Sequence, residues 1–199
     1  LEEAQALAMY DRAQRELDEL GRPEPGQWNA SMVLRWGVIR ASQAMANGDP
    51  DTALADLEYA RDISMGEAAP LDAIEWTTMQ VSALQYRGDI KEMDAAAHIA
   101  ATMAERRYGP THRISITTSQ ALGFAPYERG DYAEAHRIFE EAAQRARRHL
   151  SKEDEILLDL HYYLGSTLAH MQRHDEAIEM LASVVETRTR VDGTSHPFR

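Results

Sequence analysis

The chain has 199 residues and a formal charge of −12, which repels phosphate backbones and anionic membrane surfaces, so direct contact with nucleic acid or membrane is not expected. It has no cysteine, so disulfides and thiolate metal sites are excluded, and no apolar run approaches the roughly eighteen residues of a membrane span. No export signal is legible, so the cytoplasm is the expected compartment, or the periplasm if a membrane anchor lies outside this stretch; Leu1 in place of Met suggests a fragment of a longer protein.

In chain order, the pattern predicts a lone helix over 4–20, with Ala6, Tyr10 and Ala13 on one face. The longest break follows, Gly21 to Asn29, carrying Pro23, Pro25 and Gly26. Four helical pairs then succeed one another. Their first helices lie near 30–46, 71–87, 113–129 and 155–172, and their second helices near 50–65, 90–107, 132–149 and 175–190. The turns inside the pairs are short: Asn47-Gly48-Asp49-Pro50, Arg87-Gly88-Asp89, Arg129-Gly130-Asp131 and Gln172-Arg173-His174. Gly ends one helix with a positive φ and Asp caps the next. Asp89 with Glu92, and Asp131 with Glu134, have capping-box spacing. Pro126 falls inside a first helix, where it has no N–H to give to the Leu122 carbonyl and bends the helix.

These pairs repeat. Ala53…Leu57…Ala60, Met93…Ala97…Ala100, Ala135…Phe139…Ala142 and Ala177…Leu181…Val184 occupy equivalent places, as do Ala41, Val81, Gly123 and Gly165. Gly109, Ser151 and Gly193 form a third track in the connectors. A shared period of this length means stacked supersecondary units, each burying its apolar face on its neighbours. Small residues at Gly123, Gly165 and Ala135 let paired helices approach closely. The expected fold is therefore all-α, a single solenoid over 1–199 of about nine antiparallel helices. It comprises a half repeat at 1–20 and repeats near 30–66, 71–109, 113–151 and 155–193.

The third copy reads Leu122-Gly123, Gly130-Asp131-Tyr132-Ala133-Glu134-Ala135, then Phe139 and Ala142; the fourth reads Leu164-Gly165, Asp175-Glu176-Ala177, then Leu181. These motifs resemble the tetratricopeptide repeat. The period near 42 and the connectors Gly109-Pro110-Thr111-His112 and Gly193-Thr194-Ser195-His196-Pro197 look like its kinesin-light-chain-like branch, found in bacterial signalling proteins. The resemblance implies a right-handed α-α superhelix that binds a protein or peptide partner as a scaffold or regulatory arm. Two other readings are a sensor for a small ligand or signalling peptide, and a homo-oligomerisation module using exposed residues such as Leu7 and Val185.

In the family the first helix of each pair lines the binding groove. Carried over through the aligned turns, its positions are Arg35 in the first repeat and Glu75, Thr78 and Gln85 in the second. The third gives Gln120, Phe124 and Tyr127, and the fourth Asp159, Tyr162, Ser166 and His170. Gln and Ser suit the backbone of an extended segment, and the aromatic residues are anchors of the kind enriched at hot spots. Arg35 is the one basic residue among these positions, so the resemblance does not imply capture of a free carboxylate; with Glu75, Glu128 and Asp159 inward, a cationic or neutral segment fits. No catalytic constellation, phosphate-cradling loop or metal-ligand spacing is legible, so neither enzyme activity, cofactor nor metal is expected. His112 and His196 recur at equivalent places and read as connector residues that hold turn geometry, and His170 with His174 as a solvated pair.

Overall fold

Asn29 opens the first helix by accepting a hydrogen bond from the Met32 amide at 3.0 Å, and Asp49 opens the second by accepting one from Thr52 at 3.0 Å. The computed structural model describes residues 21–64 and 68–192. Among them are nine helices: α1 (Ala30–Ala46), α2 (Pro50–Ile63), α3 (Pro70–Arg87), α4 (Ile90–Tyr108), α5 (Arg113–Ala121), α6 (Phe124–Glu128), α7 (Tyr132–His149), α8 (Glu155–His170) and α9 (His174–Asp192). No strand occurs among the described residues. The expected half repeat at 1–20 lies outside them, as do Gly193 and His196. The helices belong to two units that divide inside α3, after Met79.

In the first unit α1 packs on α2 around Val33, Trp36 and Ala60, with Trp28, Tyr59 and Ile63 against them. Gly37 marks a close approach of the two helices. A Cβ there would lie 2.6 Å from the Ala60 Cβ. The Pro-rich break is tied down as well: the Tyr59 hydroxyl donates to the Pro23 carbonyl at 2.8 Å, and the Arg22 guanidinium lies over the Tyr59 ring at 4.9 Å. Arg22 also reaches the buried Asp56 at 2.8 Å.

The second unit has the larger core, with Phe139, Ala142, Ala143 and Ala146 of α7 against Ile156, Leu157, Leu160 and Leu164 of α8. Here α7 packs on α5, α6 and α8, and α8 on α9. One long helix over 113–129 was expected, and it is broken instead. The Leu122 and Gly123 amides bond three residues back, to Ser119 and Gln120, and α6 starts afresh at Phe124. Pro126 thereby falls in a first turn, where its missing N–H costs little. The break also seats Gly123 on Phe139, whose ring carbon Cε1 would lie 2.3 Å from an added Cβ.

The turns follow the expected chemistry with two departures. Gly48, Gly88 and Gly130 have φ of 73°, 85° and 79°; in the fourth turn Gln172 takes the same position at 63°, with a side chain where Gly is easier. Asp131 caps α7 through the Glu134 amide, whereas Asp89 makes no side-chain cap to α4 because its carboxylate is taken by Arg87. His112 does hold its connector, accepting from the Ile114 amide at 3.2 Å and stacking on Tyr108 at 4.7 Å.

Two imidazoles are built into the second unit. His136 Nδ1 lies 2.9 Å from Thr167 Oγ1, and Arg147 approaches His161 Nε2 at 3.2 Å. Burial, reinforced by Arg173 and Arg147 respectively, holds both below the usual 6.5.

This packing can be tested at the glycine contact and at the imidazoles. Gly123→Ala should destabilise the protein by about 1–3 kcal/mol through overpacking, read from urea unfolding, and Phe139→Leu should return part of that loss. For the imidazoles, the unfolded chain binds protons near pH 6.5 that the folded chain refuses. Stability should therefore fall as pH drops below 6.5 and level off once the lowered folded-state values are passed. Urea midpoints for His161→Gln should show a flatter profile over that window.

Candidate functional site

Because the repeat translates each first helix onto the next, residues about one period apart become neighbours. In the second unit Gln85 Nε2 on α3 donates to Glu128 Oε1 on α6 at 3.3 Å. The Tyr127 hydroxyl of α6 lies 2.7 Å from Ser166 Oγ and 3.2 Å from His170 Nε2, both on α8. Of the expected site residues, Tyr127, Ser166 and His170 thus form one hydrogen-bonded group. Tyr132, which the sequence reading did not single out, stacks flat on His170 with ring centroids 4.1 Å apart.

Beside this group lies an aromatic cluster. Phe124 and Phe139 both pack on Tyr163 with centroids 5.1 Å away, and Tyr162 meets the same ring edge-on at 5.4 Å. Tyr163 is the centre of the cluster and was also missed, because it stands one place beyond the carried-over position. Its phenol is pushed up by burial first, then by Asp159, Tyr162, Tyr127 and Glu128, so it stays neutral. Tyr127 and Tyr162 thus flank Tyr163, with ring centroids 6.4 and 5.4 Å away, and the Asp159 and Glu128 carboxylates add to the acidic surroundings of that ring. Tyr162 is 51% exposed and Glu128 is exposed, whereas Phe124 is half-buried.

The other expected residues separate into those that are open and those already engaged. Gln120 is buried at 7% and faces the interior, so it offers nothing to an open groove. Asp159 is half-buried and paired with Arg188 of α9. In the first unit Arg35 is exposed, and its Nε bonds the buried Asp72 at 2.5 Å. Burial alone would raise the Asp72 carboxyl, but hydrogen bonds from Arg35 and Ser31 outweigh it and hold the group below the usual carboxylate range. Glu75 is exposed, and Thr78 is half-buried with its hydroxyl donating to the Ile74 carbonyl at 2.8 Å. Val185 is 64% exposed on α9, while Leu7 lies outside the described residues.

Known proteins share the fold that carries these residues. The family model described as "Tetratricopeptide repeat" matches residues 116–155 and 162–198, so the resemblance seen in the third and fourth copies is borne out there. No curated protein matches the chain. Among solved structures, a single-substitution form of the putative kinesin light chain nearly identical TPR-like repeats of Podosopora anserina shares 17% identity at a TM-score of 0.64, covering 95% of this chain and 88% of that one. A second structure of those repeats gives 17% and 0.62, over 96% and 89% of the two chains. BtubC (BKLC) from P. vanneervenii gives 10% and 0.58, over 98% and 94%. At such identities the likeness shows the fold, and the expected class, an all-α tetratricopeptide-type solenoid, holds. No helix among the described residues is long and apolar enough to cross a membrane.

Tyr127→Phe removes the hydroxyl that joins α6 to α8 and leaves the ring in place. It should cost about 1 kcal/mol in urea unfolding and shift the NMR signals of the His170 ring.

Proposed function

We propose that the tyrosine-lined face of the second unit binds an extended segment of a partner protein, cationic or neutral in charge. Tetratricopeptide repeats mediate protein–protein interaction, and this face supplies what such contact needs. The observation that carries the reading is the packing of Tyr127 and Tyr162 on Tyr163, at ring-centroid distances of 6.4 and 5.4 Å, with the Asp159 and Glu128 carboxylates near enough to oppose ionisation of that phenol. Tyrosines give large contact area at low entropic cost, and their faces attract guanidinium and ammonium groups. Ser166 and His170, held by Tyr127, offer polar atoms to a passing backbone. Glu128 is the carboxylate open to a cation, because Asp159 already holds Arg188.

In this reading the protein is not an enzyme. It is a scaffold or regulatory arm of a larger bacterial signalling or transcription-regulating protein, working in the cytoplasm without direct contact with nucleic acid or membrane. The strongly acidic charge and the absence of any legible catalytic motif support it.

Selection of displayed random peptides tests the proposal. The expected result is a consensus containing Arg or Lys, whose synthetic peptide loses about tenfold or more in affinity on Tyr162→Ala and on Glu128→Gln, with the melting temperature unchanged. An acidic consensus, or binding indifferent to Tyr162→Ala, would overturn it.

A further inference from the structure

On another face of the second unit, α4 and α7 flank a cavity of about 270 Å³. Its floor is the helix break. Leu122, Pro126 and the buried Ser119 line it, with Ile138 of α7 adding an apolar wall. Pro126 has no N–H for the Leu122 carbonyl, so the chain leaves a backbone acceptor without its helical partner at this point.

The charges around the cavity are unequally committed. Arg137 is fully engaged, bonding Glu134 at 2.6 and 2.8 Å and Glu141 at 2.5 Å. Arg145 is spent on Glu105 at 2.8 Å and on Ser119 Oγ at 3.3 Å. Asp94 differs. Arg129 stands 3.7 Å from its carboxylate, beyond hydrogen-bond reach, and His98 Nδ1 at 3.4 Å is already bonded to the Asp94 main-chain carbonyl at 2.9 Å. The Asp94 carboxylate accepts no hydrogen bond among the described residues, although its side chain is only 33% exposed. Three carboxylates and three guanidiniums line the cavity, but Arg145 is committed to Glu105 outside it and Arg137 to Glu134 and Glu141, so Asp94 is the lining carboxylate without a hydrogen-bonded cation among the described residues.

We infer that this cavity is a binding site for an alkylammonium group, with the cation on Asp94 and the hydrocarbon stem on Leu122, Pro126 and Ile138. An under-coordinated carboxylate behind an apolar wall selects a cation with a greasy stem over a hydrated inorganic ion or an anion. The volume fits a single short chain. Arg129 is the competitor: its ion pair with Asp94, at 3.7 Å and without a hydrogen bond, is the one the ligand displaces. The site shares no lining residue with the tyrosine face, and the inference does not depend on what that face binds. An alkylammonium reaches it either as a free aliphatic diamine or as a lysine side chain of another protein, and the two sources share the chemistry.

Calorimetric and NMR titrations at low salt test the assignment, with 1,4-diaminobutane and Nα-acetyl-lysine amide as the probes and sodium acetate as the anionic control. Saturable shifts of the Asp94, Leu122 and Ile138 amides are expected with one or both amines and not with acetate, and the tighter amine identifies the source. Asp94→Asn should weaken binding about tenfold or more, while Arg129→Ala should tighten it, a gain that a misfolded variant would not show. Shifts of equal size with acetate, no saturation with either amine, or an affinity unchanged in Asp94→Asn would each overturn the inference.

Discussion

Three of the four hairpins rest on how closely their two helices approach. Gly37 against Ala60, Gly123 against Phe139 and Gly165 against Leu181 each leave no room for a methyl group, with added-Cβ distances of 2.6, 2.3 and 2.7 Å. Contacts this tight fix the interhelical distance, and with it the positions of every residue that faces the following hairpin. The alanines that fill the second helices, among them Ala142, Ala143 and Ala146, are the same constraint seen from the other side. They bury little area each, so the core is stabilised by density and by the larger Phe139, Leu160 and Leu164 set among them.

Much of this was legible in the sequence because a period is a redundant signal. Three independent tracks located the helices, and the turn glycines located their ends. What escaped notice did so for local reasons. Gly37 sits one turn before the Ala41 that the period pointed to, since the first hairpin makes its close contact nearer the start of the helix. Gln172 shows that a turn can keep its positive φ after losing its glycine. The break at Leu122–Gly123 lies a full turn before Pro126, because the chain relieves the proline upstream, where 3₁₀ bonding is available. Tyr163 was missed because a carried-over register names positions and not the reach of their neighbours.

The dispersed charge also has structure. In the second unit Arg113 pairs with Asp154, Arg145 with Glu105 and Arg190 with Glu153, each joining residues roughly one repeat apart. Gln85 with Glu128 and Tyr127 with His170 follow the same rule in neutral or half-neutral form. Single exposed pairs of this kind contribute little to stability. Their common spacing gives them another role, since each favours the pairing of a hairpin with its own successor over a slipped arrangement.

Links that recur at one repeat spacing also bear on how such a chain lengthens over evolution. The step from Ala135 to Ala177 is 42 residues, and a copied segment of that length would present each donor to an equivalent acceptor in the next copy. Genetic duplication of whole hairpins is therefore chemically silent at the joints. Inserting two residues within a helix would instead rotate everything after it by about 200° and strand every partner at once. Growth by whole units, and intolerance of fractions, is built into the side chains as well as the backbone.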